Sequence, residues 1–361
     1  MIFDKKYDII KIVCFKFDVY TERTDKHLRK YNIPVFVPHK GCPFDCVFCN
    51  QNRITGKIKP VTPDEVTQTI EEYLLTIPES NREAEVAFFG GSFTGIPVEE
   101  QNALMERVSP YIEDGRIDGI RLSTRPDYID EDILVNLKKY GVTTIELGVQ
   151  SMVDSVLKAS NRGHSAKQAQ NASKLIKQYG FSLGLQMMTG LPSDTDEKAI
   201  ETARRIIELK PDCVRIYPTL TIKDTYLEKM YKDGRYKPQT LEEAVKLAKE
   251  LLIMFENADI NVIRVGLQTT DEINSGASVV AGPFHSSFRE LVESEIYYDI
   301  ISEQIKNHSG RADIFVNPSE VSKATGNKKN NVKRIKENFN VDIKIKSDNK
   351  LNKREVRYVC C

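Results

Sequence analysis

From about residue 33 to residue 265 the chain alternates short β-branched or aromatic runs with longer segments of helical periodicity. That alternation calls for βαβ units and a parallel sheet. The runs are Pro34–Val37, Glu85–Phe89, Gly119–Ser123, Thr143–Val149, Phe181–Met188 and Cys213–Tyr217, with Asn261–Val265 as a further strand. The intervening helices carry local punctuation. Thr62-Pro63-Asp64-Glu65 supplies an N-cap threonine, a proline at the first helical position and a glutamate that can bond back to the cap. Val66, Ile70, Tyr73, Leu74 and Ile77 follow at helical spacing and should face the sheet. Thr240-Leu241-Glu242-Glu243 repeats the capping box, and helices over 130–140 and 165–179 end at Gly141 and Gly180, where a left-handed residue is wanted. Six strands in about 185 residues fall short of the roughly 250 that a closed eight-stranded barrel takes. The expected fold is α/β, a partial (β/α)6 TIM-like barrel over 33–265. An N-terminal extension, 1–32, precedes it, and a carboxy-terminal domain with a basic tail, 266–361, follows.

Composition narrows the function classes. The 52 basic and 52 acidic residues cancel, so a polyanionic partner must be met by a local patch. One such patch exists: Lys323 to Cys361 holds twelve basic and four acidic residues, a net of 12 − 4 = +8. This tail either engages RNA phosphates or is merely solvated. No apolar run is long enough to span a bilayer, and Met1-Ile2-Phe3-Asp4-Lys5-Lys6 lacks a secretory apolar core. A cytoplasmic protein with no membrane partner is expected. Cys14, Cys213, Cys360 and Cys361 lack a partner spacing: Cys213 should be a buried strand residue, and the terminal pair part of a frayed end. Met187 and Met188 should be core, and His285 structural.

The other three of the seven cysteines, Cys42, Cys46 and Cys49, fall within eight residues in the loop after the first strand, at the carboxyl end of the sheet. An odd, clustered set suits reduced thiols binding a metal. Two centres satisfy the spacing. Three thiolates can hold three irons of a cubane cluster, leaving the fourth iron open to a small molecule. With His39 they instead form a closed Cys3His zinc site, and the chain is then a non-catalytic nucleic-acid-binding protein.

CxxxCxxC with Phe48 just before the last cysteine resembles the radical S-adenosylmethionine (SAM) enzymes. Phe88-Phe89-Gly90-Gly91-Ser92-Phe93-Thr94 is similar to that family's glycine pair, although Ser92 stands where glutamate is usual. Ile145 to Ser151 with Asn161-Arg162-Gly163-His164, and Leu185 to Pro192, resemble its coproporphyrinogen-dehydrogenase and Elongator branches. Val265 to Gln268 and Gly282 to Val292 look like the carboxy-terminal domain of the Elongator catalytic subunit. That second match favours the Elongator branch.

The resemblance implies that Cys42, Cys46 and Cys49 hold a 4Fe-4S cluster whose open iron chelates SAM, with one electron from a reductant protein such as flavodoxin or ferredoxin. The 5'-deoxyadenosyl radical so formed takes hydrogen from a substrate, transfer RNA in the Elongator branch or a porphyrin-like small molecule in the other. Gly90 and Gly91 then allow close backbone approach to the cofactor, where a side chain would block it. Ser92 meets the SAM amino group by hydroxyl or backbone. Phe48 stacks near the adenine or shields the cluster. Ser123, Gln150 and Gln186 bond the ribose or adenine edge or else satisfy loop backbone. Arg162 either pairs with the SAM carboxylate through its planar fork or is a surface residue. The Elongator subunit carries an acetyltransferase domain after this region, for which this chain leaves no room; acetyl transfer is not expected.

Overall fold

A computed structural model describes residues 29–37, 46–50, 61–267 and 278–360. Cys14, His39, Cys42, Gln268 and Cys361 lie outside them. The described residues form two compact units. One runs to Ala244 and includes Leu251–Ser286; the other comprises Val245–Glu250 and everything from Ser287. Val279–Ala281 pairs with Thr221–Ile222, and 278–286 belong to the larger unit.

In chain order the larger unit contains β1 (Arg29–Val37), α1 (Pro63–Leu74), β2 (Arg82–Gly90), α2 (Val98–Glu106), α3 (Ser109–Glu113), β3 (Gly119–Thr124), α4 (Glu131–Lys139) and β4 (Val142–Gln150). It continues with α5 (Asp154–Ala159), α6 (Ala166–Gln178), β5 (Ser182–Thr189), α7 (Asp196–Glu208), β6 (Cys213–Pro218), β7 (Thr221–Ile222) and α8 (Tyr226–Lys232). The long α9 (Leu241–Asn257) shares residues with both units, and β8 (Asn261–Val265) and β9 (Val279–Ala281) close the set. The main sheet has the order β1-β2-β3-β4-β5-β6-β8, parallel throughout. It is a curled half-barrel. All seven strands named from the sequence are in it. Strictly consecutive order is what right-handed βαβ crossovers produce when each strand adds beside the last.

The caps form as read. Thr62, Ser165 and Thr240 each make a capping box, and Gly141 and Gly180 both stand at φ +77° just past their helices. Val66 and Ile70 of α1 are fully buried, which is worth roughly 1.5–3 kcal/mol for each side chain. Tyr73, expected to face the sheet, is 39 % exposed: one turn beyond Ile70 the helix is ending, and Ile77 after it takes the inward place.

Strand alternation gives the sheet two different faces. Val86, Phe88, Ile120, Leu122, Ile145, Leu147, Leu185 and Met187 form one, fully or almost fully buried, as expected of Met187. The opposite face carries Glu85, Arg121, Ser123, Glu146, Gly148, Gly184, Gln186, Cys213 and Arg215, which the register places side by side.

The smaller unit contains α10 (Phe288–Ile305), β10 (Gly310–Val316), α11 (Val321–Thr325), α12 (Asn330–Phe339), β11 (Val341–Ser347) and β12 (Val356–Cys360). Its sheet has the order β11-β10-β12, with β10 parallel to β11 and antiparallel to β12. The lysine-rich end is therefore a folded α/β lobe and not a tail. Cys360 is a strand residue, its Sγ 3.5 Å from His308 Nδ1, where fraying was expected. Ile314, Val316, Ile335 and Val341 are fully buried, and a core of that quality holds the end of the chain down.

Candidate active site

Cys46 and Cys49 open and close a tight turn, with Cys49 N–H donating to the Cys46 carbonyl at 2.9 Å. Cys46 is buried and Cys49 half-buried. Three contacts pin the turn. Val47 N–H donates to the Ser160 carbonyl (3.1 Å), Leu227 N–H to the Val47 carbonyl (2.7 Å), and Asn50 Nδ2 to the Lys223 carbonyl (3.3 Å). Phe48 packs against the cluster formed by Val47, Leu227 and Tyr236, so its ring anchors the turn to α8.

Arg162 is buried directly behind the turn. Its Nη1 lies 3.5 Å from Cys46 Sγ, and Nη2 donates to the Gly148 carbonyl at 2.7 Å. Arg125 Nη2 in turn donates to the Arg162 carbonyl (2.7 Å), while Asp127 holds Arg125 in a two-pronged pair at 2.9 Å. A Cβ on Gly148 would stand 2.9 Å from Arg162 Nη2 and 3.0 Å from Gln150 Nε2, so the bare α-carbon is what admits both side chains. Gln150 itself has φ +66°, a left-handed conformation unusual for a residue with a side chain, at the end of β4. Among the described residues, Gln150 Oε1 and Arg162 Nε are buried without a partner, as are Ser160 Oγ and His164 Nδ1 nearby. Buried polar groups are nearly always paired, so these orphans leave bonding capacity open to a ligand at the strand end.

On the other side of the turn, Gly90 ends β2 at φ +101° and Gly91 N–H donates to the Val37 carbonyl at 2.9 Å. Ser92 is buried, with its hydroxyl 3.1 Å from Thr124 Oγ1 and accepting from Arg125 N–H. That hydroxyl is committed to the end of β3, and the backbone is what Ser92 can present to a ligand. Gln186 Nε2 donates to Glu146 Oε2 (3.0 Å) and reaches Ser123 Oγ (3.4 Å), so these two predicted contacts touch one another.

Beneath them lies a charged layer that sequence reasoning missed. Glu146 accepts from Arg121 Nη1 (2.9 Å), Arg215 Nε (2.6 Å) and Arg215 Nη2 (2.9 Å), and Arg121 Nε also donates to Glu85 (2.8 Å). Burial pushes the Glu146 carboxyl up, but the hydrogen bonds and charges of Arg215 and Arg121 outweigh it and hold it below the usual range. The available signal was a run of charged residues inside otherwise apolar strands. His164, also missed as a site neighbour, is buried with Nε2 donating to the Val149 carbonyl at 3.2 Å. Burial and then the Arg162 charge lower its pKa to about 3, so it is neutral and its Nδ1 is bare.

The residues suit a cluster and SAM. The donor set is thiolate, and the described part of the wall is glycine, an orphaned guanidinium nitrogen and an orphaned amide oxygen. A curled parallel half-barrel with its cysteine turn at the carboxyl ends of the strands defines a class, and the comparisons agree. The chain carries a radical SAM domain, matched over residues 36–206, followed by the radical SAM C-terminal domain, matched over 211–298. Members of the radical SAM superfamily bind a 4Fe-4S cluster and SAM.

The chain is similar to the tRNA uridine(34) acetyltransferase of Methanocaldococcus infernus, 30% identical over 249 residues, which are 59% of this chain and 46% of that one. It is also similar to Elongator complex protein 3 of Homo sapiens, 37% identical over 139 residues, 38% of this chain and 25% of that one. Among solved structures, the archaeal M. infernus Elp3 with its N-terminus deleted shares the fold, with a TM-score of 0.58 and 24% identity over 75% of this chain and 63% of that one. The chain spans about half the length of the first of these relatives.

Proposed function

We propose that this chain is a radical SAM enzyme that modifies RNA, with transfer RNA as the substrate and the basic carboxy-terminal region as a contact. When bound, the cluster supplies the electron that cleaves SAM, and the 5'-deoxyadenosyl radical so released takes a hydrogen from the substrate. Cys42, Cys46 and Cys49 would hold the cluster, and a small donor such as a flavodoxin or ferredoxin would reduce it. A cytoplasmic setting suits thiols that must stay reduced.

What carries the reading is Arg162, a buried cation placed between Cys46 Sγ and the Gly148 carbonyl with one nitrogen unpartnered. A carboxylate arriving beside the thiolates would meet that nitrogen and the planar fork behind it. Gln150 Oε1 offers an acceptor to an amino or hydroxyl group, Gly90 and Gly91 offer backbone, and Gln186, held in place by Glu146, reaches Ser123. Phe48 keeps water from the turn. Substrate identity rests on the relatives named for tRNA uridine(34) acetylation.

The test is anaerobic purification with iron and sulfide analysis, then dithionite and SAM with assay of 5'-deoxyadenosine. A brown protein that cleaves SAM, and loses both colour and cleavage in Cys42→Ala, Cys46→Ala and Cys49→Ala, is expected. A colourless protein with one zinc per chain after reconstitution would overturn the reading.

A further inference from the structure

The small sheet of the carboxy-terminal lobe has one face that core packing explains and one that it does not. Ala312, Ile314, Val316, Val341, Ile343 and Val356 pack with Tyr297, Ile301 and Ile335 in the lobe's core. Alternation puts Arg311, Asp313 and Phe315 of the central strand β10 on the opposite face, with Asp342, Lys344 and Lys346 of β11 and Arg357 of β12. The register sets Phe315 directly between Lys346 and Arg357. The Arg357 guanidinium lies 4.2 Å from the centre of the half-buried Phe315 ring, and Lys346 Nζ lies 5.7 Å from it.

Each acid near this face already has a cation: Asp313 holds Lys346, Asp348 holds Arg357 and Asp342 holds Lys336. Arg311 and Lys344 are exposed and have no acidic partner among the described residues. Over 287–361 the lobe carries fifteen basic and eleven acidic residues, 15 − 11 = +4. An aromatic at the centre of an open sheet, capped by a planar cation and rimmed by unpaired positive charge, suits an unpaired base and its phosphates.

We propose that this face binds single-stranded RNA, one base stacking on the Phe315–Arg357 pair and the neighbouring phosphates meeting Arg311 and Lys344. The inference deepens the RNA reading above and rests on it for its biological sense. A duplex keeps its bases stacked on one another and offers none to the ring, so the face discriminates against paired RNA.

The experiment is fluorescence anisotropy of the full chain with a labelled twelve-nucleotide oligouridylate across a series of KCl concentrations. Phe315→Ala should weaken binding roughly ten-fold, since stacking one base on an aromatic side chain is worth about that or more. Phe315→Tyr should retain affinity, and Arg357→Lys should lose part of it, because the charge stays while the stacking plane goes. Arg311→Gln and Lys344→Gln should each lower the log–log salt slope by about 0.7. Circular dichroism of each variant checks that the lobe is folded. Wild-type affinity in folded Phe315→Ala, equal binding of a duplex, or equal binding of oligothymidylate would overturn the proposal. 5'-Deoxyadenosine release without RNA is measured on the same proteins. Its absence from wild type counts against the radical SAM reading alone, and its persistence in Phe315→Ala alongside lost binding assigns the loss to the sheet face.

Discussion

Glu146 and Arg215 form a two-pronged ion pair across neighbouring parts of the half-barrel, Nε to Oε2 at 2.6 Å and Nη2 to Oε1 at 2.9 Å, with the carboxylate almost completely buried. The same carboxylate holds Arg121 and Gln186, so one acid on β4 ties together β3, β5 and β6 beneath the candidate site.

Glu146→Gln leaves Arg121 with Glu85 and takes from Arg215 the carboxylate it pairs with, and breaking a buried pair costs about 3–5 kcal/mol. Urea unfolding of the cofactor-free protein should show a loss of that order. Adding Arg215→Met should recover part of it, a non-additivity expected of direct partners. A single-variant loss under about 1 kcal/mol is incompatible with this role.

Gly148→Ala should leave the fold intact, because Gly148 is not in the left-handed region and the clash is with the movable ends of Arg162 and Gln150. The methyl group displaces Arg162 from the Gly148 carbonyl. Equilibrium dialysis of SAM should show affinity lower by about ten-fold or more, the size of a lost charge-assisted bond. Unchanged affinity, with an unchanged far-ultraviolet spectrum, places the ligand elsewhere.

His164 has its folded pKa lowered from 6.5 to about 3 by burial and then by Arg162. A depressed pKa means that its contribution is fully present above about 6.5 and is lost as pH falls from there towards 3. The span is on the order of 4 kcal/mol. His164→Gln cannot take up the proton, so the stability gap between wild type and variant should shift against wild type across that window. A gap independent of pH removes His164 as the acid-sensitive group.

Asp194 acts in the opposite sense. Burial raises its pKa from 3.8 to about 6 despite hydrogen bonds from the Gly190 and Thr195 amides. Its contribution is therefore present below about 3.8 and lost as pH rises through 6. Asp194→Asn keeps an acceptor for Gly190 N–H, and wild type should lose up to about 3 kcal/mol relative to it between pH 4 and pH 7. Denaturant midpoints at those two values decide it.

Local physics made much of the fold legible. The caps at Thr62, Ser165 and Thr240 and the left-handed Gly141 and Gly180 are decided by residues within a few positions of one another. Strand existence followed from period and composition, which is why all seven strands of the main sheet were named. Tyr73 was misplaced because helical periodicity does not reveal where the helix stops. The folding of the basic end was missed for a different reason: a lysine-rich segment reads as solvated until Ile335, Val341 and Val356 are seen packing on Ile301 and Ile314.

The sequence by itself determined which segments are strands and where the helices end, because each depends on spacing along the chain. Tertiary structure alone decided what stands beside what. Arg162 and Cys46 are 116 positions apart and meet at 3.5 Å, and Glu146 finds Arg215 from 69 positions away. Contacts of that separation exist only after the sheet has closed its register, when burial removes water as the competing partner and leaves each charge to find its counterpart in the protein.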